Sequence, residues 1–201
     1  MFRCLIILLD VEILVSEIIR SFIAFDISEP NILRGITEVQ ELLQATGAGL
    51  KIVEPQNIHI TMKFLGDIRS SLIDNVHDVM KNACVKAFDV ELKNVGVFPS
   101  FSRMNVVWIG ITNGFDELSR IAERLETGLK NLGFPPENRK FSAHLTIIRV
   151  KSAKNKDVLA HKIDDLAGHE FGSIRVGSLK LKKSVLTPSG PIYSTLREVA
   201  V

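Results

Sequence analysis

Two stretches of this chain constrain its fold more than anything else in it. Ile58-His59-Ile60-Thr61-Met62-Lys63-Phe64 and Ala143-His144-Leu145-Thr146-Ile147-Ile148-Arg149 each set a histidine and a threonine two positions apart in strand-like sequence, and His144 follows His59 by 85 positions. Their surroundings repeat as well. Phe22-Ile23-Ala24-Phe25-Asp26-Ile27 precedes His59 much as Val106-Val107-Trp108-Ile109-Gly110-Ile111 precedes His144, and Val106 follows Phe22 by 84 positions. A unit of that length exceeds the usual solenoid repeat. The arrangement expected is α+β: a bilobal duplicated fold of two antiparallel sheets with outer helices, related by a pseudo-twofold around a central groove.

The elements between these landmarks follow from periodicity. Ser21–Ile27 reads as a strand, and Pro30 suits the first turn of a helix. Ile32, Ile36, Val39 and Leu43 then recur at helical spacing until Gly47 and Gly49 end the run. Asn57–Leu65 alternates strictly, so Asn57, His59, Thr61 and Lys63 are expected on one face of a half-buried strand. A helix capped by Ser70 or Ser71 follows, with strands at Phe88–Phe98 and Val106–Thr112. Leu118, Ile121, Leu125 and Leu129 mark a helix from Phe115 to about Leu132, stopped by Gly133 and Pro135-Pro136. Ser142–Val150 reads as a strand and Asp157–Leu166 as a short helix. Ile174–Leu186 and Ile192–Val199 read as closing strands. Each half is thus strand, helix, histidine strand, helix, strand, with the segment from Phe171 in the second half matching that from Phe88 in the first.

Residues two apart on a strand point to the same side. Paired across a twofold, the two motifs bring two imidazoles and two hydroxyls into one groove. An unperturbed histidine titrates near pH 6.5, so one ring can accept a proton from water while a protonated neighbour supplies one to a leaving oxygen. Thr61 and Thr146 can donate to non-bridging phosphate oxygens, and Lys63 can add positive charge beside His59. Counting by twos from His144 puts Arg149 on the wrong face unless the strand bulges or ends near Ile148. Phe64 and Trp108 read as core, with base stacking as the alternative, and Tyr193 as a residue lining a base pocket or an edge strand.

The chain resembles the 2H phosphoesterase superfamily, and within it the RNA 2′,3′-cyclic phosphodiesterase branch, also called the 2′-5′ RNA ligase or LigT-like family. The resemblance rests on Phe22–Ile27, Asn57–Gly66, His144–Lys151 and Leu186-Thr187-Pro188-Ser189-Gly190-Pro191-Ile192-Tyr193. It implies hydrolysis of 2′,3′-cyclic phosphate ends to 2′-phosphates without metal or other cofactor. It implies His59 as proton donor to the departing 3′ oxygen and His144 as proton acceptor for water. It also places the family's arginine at Arg149. Substrates would be RNA ends or small cyclic nucleotides. Two rivals stay in view. One is the same site run in reverse as a 2′-5′ ligase. The other is a nucleotide- or RNA-end-binding module without turnover, against which the intact histidines and threonines argue.

Composition bounds the remainder. The formal net charge is +2, from 25 basic and 23 acidic residues, which excludes a bulk coater of nucleic acid. The basic run Lys180-Leu181-Lys182-Lys183 reads as an RNA-phosphate contact or an exposed strand face. Cys4 and Cys84 give no disulfide framework and point to a reducing cytoplasm. Residues 1–20 read as an extension, a packed helix or frayed segment too short in its apolar run to span a bilayer. Residues 21–201 read as one domain of two intertwined lobes. A monomer without stable membrane association is expected.

Overall fold

The computed structural model describes residues 17–84, 86–188 and 190–200, so the reading of the first sixteen residues as a helix or frayed extension lies outside the described residues. The strands are β1 (Ile18–Asp26), β2 (Leu50–Ile52), β3 (His59–Arg69), β4 (Phe88–Ser100), β5 (Arg103–Ile111), β6 (His144–Val150), β7 (Glu170–Val176), β8 (Ser178–Thr187) and β9 (Gly190–Ala200). The helices are α1 (Pro30–Gln44), α2 (Ile73–Ala83), α3 (Phe115–Asn131) and α4 (Lys156–Asp164).

Helices form where apolar spacing predicts them. Ile32, Ile36, Val39 and Leu43 of α1 are buried, as are Leu118, Ile121, Leu125 and Leu129 of α3. Each such side chain contributes about 1.5–3 kcal/mol when fully buried. Pro30 stands in the first turn of α1, where its missing N–H costs nothing. Asp116 and Glu117 occupy the first turn of α3 and complement its dipole. Ser70 and Ser71 form a short 3₁₀ turn instead of capping α2 directly.

The strands form a curled antiparallel sheet in the order β7-β4-β5-β6-β3-β1-β8-β9, with β2 also on β6. The two sheets expected from sequence are its two halves, β6-β5-β4-β7 and β3-β1-β8-β9. They are stitched together by one registered pair, Ile60 with Leu145. The halves exchange strands. β4 follows β3 in the chain but pairs with β5 and β7 of the other half of the sheet, and β8 returns to pair with β1. The closing segment read as one strand from Ile174 to Leu186 therefore breaks at Gly177: β7 pairs with β4, whereas β8 pairs with β1 and β9. The strand that occupies the position equivalent to β4 is β8, not the segment from Phe171. Among the described residues no helix is long and apolar enough to cross a membrane.

Candidate active site

His59 opens β3 and His144 opens β6. Ile60 and Leu145, the pair that joins the two halves, are fully buried on the helix side. Their neighbours therefore face the opposite, concave side, and antiparallel continuation from that pair sets His59 across from Thr146 and Thr61 across from His144. The four side chains expected to converge do so.

Both rings are held alike. His59 Nδ1 lies 2.8 Å from the carbonyl oxygen of Asn57, and His144 Nδ1 lies 2.7 Å from that of Ser142. A carbonyl only accepts, so Nδ1 carries the hydrogen in each ring and the bare Nε2 is left to do chemistry. Aromatic rings wall them in. Phe22 and Tyr193 lie 5.0 and 5.5 Å from His59, and Phe98 and Trp108 lie 5.0 and 6.5 Å from His144. Burial lowers both histidine pKa values below the usual 6.5; the Asn57 and Ser142 carbonyls oppose this. The split expected at rest, one ring neutral and one cationic, is thus replaced by two rings held toward the neutral form.

The rings differ in one neighbour. Asp26 on β1 is the cross-strand partner of His59 and pulls its pKa up, while Lys182 and Arg149 push it down. The equivalent position beside His144 is Gly110. Asp26 is clasped in turn: Lys182 Nζ lies 2.7 Å from each of its oxygens and Lys180 Nζ 3.2 Å from one. Lys182 is almost fully buried, and Lys183 pairs with Glu17 at 2.8 Å. The basic run is therefore committed to carboxylates rather than presented as a free strip. Asp26 stood in the sequence inside a recognised stretch, but nothing in that stretch announces that lysines 154 and 156 positions away will meet it.

Two bulges decide which charges reach the groove. In β3, Ile23 pairs with Lys63 and Ala24 with Thr61, leaving Met62 as the extra residue. In β6, Val107 pairs with Ile148 and Trp108 with Thr146, leaving Ile147 as the extra residue. Each extra residue stands three after its histidine and reverses the parity beyond it. Arg149 is thereby turned onto the concave face with His144 and Thr146, and its charge is felt at both His59 and Tyr193. The same device removes Lys63 from the site, against expectation. Lys63 turns to the helix side beside Ile23, where its Nζ lies 2.5 Å from Glu126 Oε1 on α3 and 3.3 Å from the Pro135 carbonyl. Phe64 stands where Arg149 does in the other half, 63% exposed and packed on Phe22. It is not core.

The β6 bulge is braced from behind. The Ile147 carbonyl accepts from Val53 N–H at 3.0 Å and from Gln40 Nε2 on α1 at 2.9 Å; the same Nε2 also donates to Val53 O at 2.9 Å. Trp108 likewise leaves the core position expected for it. It packs on Phe98 at 5.1 Å and lies over Gly96, where a Cβ would come within 2.3 Å of the indole. Tyr193 lines the His59 side, with burial raising its pKa against the opposing charges of Arg149 and Arg20. Among the described residues no group of three or more His, Cys, Asp or Glu side chains forms a metal-binding set.

Comparison with known proteins agrees with the duplication. The family model described as LigT like phosphoesterase matches residues 27–108 and again residues 109–193. An RNA 2′,3′-cyclic phosphodiesterase of Methanocaldococcus jannaschii is 38% identical over 179 residues, covering 89% of this chain and 99% of that protein. One of Aeropyrum pernix is 36% identical over 164 residues, covering 82% and 93%. Among solved structures, TT0787 of Thermus thermophilus superposes with a TM-score of 0.76 at 24% identity, covering 90% of this chain and 97% of that one. E. coli LigT complexed with 3′-AMP superposes with a TM-score of 0.73 at 21% identity, covering 92% and 99%.

Proposed function

The chain belongs to the LigT like phosphoesterase family, and from that premise and the geometry of its groove we propose that it opens RNA 2′,3′-cyclic phosphates to 2′-phosphates. The observation that carries the reading is the pair of histidines on adjoining strands, each with Nδ1 fixed on a backbone carbonyl so that Nε2 is left for chemistry. His59 is the proton donor and His144 the acceptor. Asp26 beside His59 and glycine beside His144 favour that order, with Lys182 and Arg149 acting against Asp26 at the His59 ring.

In the step itself, His144 Nε2 takes a proton from water as the water oxygen bonds to phosphorus. The P–O3′ bond breaks, and His59 Nε2 gives its proton to O3′. Both rings start toward the neutral side, so the arriving phosphate anion completes the charging of His59. Thr61 and Thr146 donate to the non-bridging oxygens, and Arg149 supplies positive charge along the groove. Tyr193 packs beside the His59 ring on the ribose side. Side chains handle every proton and charge in this scheme, so EDTA should leave turnover unchanged. Two cysteines in 201 residues make no disulfide framework, which supports a reducing compartment such as the cytoplasm.

The test is product analysis on a 2′,3′-cyclic-phosphate oligoribonucleotide and on 2′,3′-cyclic AMP. His59→Ala and His144→Ala should each lose about 10²–10⁴-fold in kcat while staying folded, and the wild-type product should carry a 2′-phosphate. A bell-shaped pH profile is expected. Full activity in either variant would overturn the assignment. Binding of 2′-AMP without any turnover would favour a binding module.

A further inference from the structure

Lys51 and Arg149 are direct cross-strand partners in the β2–β6 ladder. Their side chains therefore share a face, a few ångströms apart. That face is the concave one, because the Ile147 bulge turns Arg149 toward it and the next pair, Ile52 with Ile148, goes into the core. Like charges directly opposite each other destabilise a ladder. Yet neither cation has an ion-pair partner among the described residues, while Lys180, Lys182 and Lys183 on β8 are each paired with a carboxylate.

The position of the pair is informative. Thr146 lies across from His59, and Arg149 lies about 7 Å further along β6, two strand steps once the bulged residue is discounted. Lys51 extends the positive strip to the β8–β9 turn, where its Nζ is 3.5 Å from the place a Cβ on Gly190 would occupy. Asn57 Nδ2 ties the same turn down at Pro191 O, 3.3 Å away and two residues before His59. The strip is thus at the His59 end of the groove. In the proposed reaction that end holds the departing O3′, and with it the terminal ribose.

We propose that Lys51, with Arg149, forms a second anion site that takes the phosphate on the 5′ side of the terminal ribose. The site makes this enzyme a reader of RNA ends rather than of free cyclic nucleosides. The inference rests on the reading of the groove as a cyclic phosphodiesterase. It adds a specificity residue to that reading: His59, His144 and the threonines act on the cyclic phosphate, and Lys51 measures whether another phosphate follows it.

The experiment compares kcat/KM for adenosine 2′,3′-cyclic phosphate with and without a 5′-phosphate, so that only one anion differs. Wild type should favour the 5′-phosphorylated substrate by about five- to tenfold, and the preference should shrink as salt screens it. Lys51→Gln, which keeps most of the stem, should cut that ratio about fivefold, and Lys51→Arg should restore it. Melting curves of both variants show whether the fold is intact, and the arginine variant decides the matter even if glutamine unsettles β2. A wild-type ratio near one, or a glutamine variant that slows both substrates equally, overturns the second site alone. Failure of wild type to open either substrate overturns the functional reading beneath it.

Discussion

Gln40 offers a way to disturb the site without touching anything that faces it. Its side chain is buried and donates to two carbonyls, those of Val53 and Ile147. Gln40→Leu keeps the volume and removes both donors. Ile147 O retains Val53 N–H, but Val53 O, on a half-buried residue, loses its side-chain partner, at a cost toward the low end of roughly 1–3 kcal/mol. Leucine recovers part of this through apolar burial, leaving a net loss of about 1 kcal/mol. For a chain of this size that lowers Tm by roughly 2–4 °C. The catalytic effect comes through the bulge. If β6 relaxes toward regular pairing, Arg149 swings off the concave face. Complete loss of its contact with a phosphate would forfeit about 1.5–3 kcal/mol, or roughly 10- to 150-fold in kcat/KM. Because β2 still pairs with Arg149, about 3- to 10-fold is expected. The decisive assay is a double-mutant cycle with Arg149→Ala, read by kcat/KM on the 5′-phosphorylated adenosine 2′,3′-cyclic phosphate and by thermal melting. The catalytic loss should vanish in the Arg149→Ala background while the Tm loss persists. An equal catalytic loss in both backgrounds, or a lower Tm with unchanged catalysis, would refute the link between the brace and the arginine.

Three other outcomes are expected. Lys63→Met should leave kcat/KM within about twofold of wild type, because Lys63 faces the helices and its partner Glu126 can turn to solvent; a large drop would return Lys63 to the site. Stability should rise with pH up to about 6.5, because the unfolded chain protonates its histidines at higher pH than the folded one does. Stability is then lost as pH falls below that value. Urea titrations of wild type and His144→Asn across pH 5–8 check this, and an identical pH slope in the two would contradict it. Gly96→Ala should displace the Trp108 indole, whose nearest ring atom leaves only 2.3 Å for the new methyl, and cost about 1–3 kcal/mol. Trp108 is the only tryptophan in the chain, so its fluorescence reports the displacement, and an unchanged spectrum would argue against the packing described.

The duplication, the helices and the converging histidines and threonines were legible because each rests on local period or on a repeated pattern. Errors gathered where one residue more or less changes the outcome. Strict alternation put Lys63 beside His59 and Arg149 away from His144, and a single extra residue in each strand reversed both. The sequence holds a trace of this in β6 alone, as the consecutive apolar Ile147 and Ile148; in β3 the residues buried in succession are Met62 and Lys63, and a lysine gives no such sign. But an apolar pair in a strand does not by itself say bulge. The clasp on Asp26 and the Lys51–Arg149 pair were hidden for a different reason. Both depend on which strands become neighbours, and strand exchange between the halves is a tertiary choice that no local window contains.

That exchange has a consequence during synthesis. The outer edge of β1 is completed by β8, which begins 160 residues later in the chain. At roughly 5–20 residues per second, a nascent chain keeps that edge open for about 8–30 s after β1 emerges from the ribosome. β1 is meanwhile an apolar ribbon, Phe22-Ile23-Ala24-Phe25, with a free row of amide groups. The half of the protein that emerges first therefore cannot finish alone, and it depends on the closing strands of the chain arriving before another strand finds it.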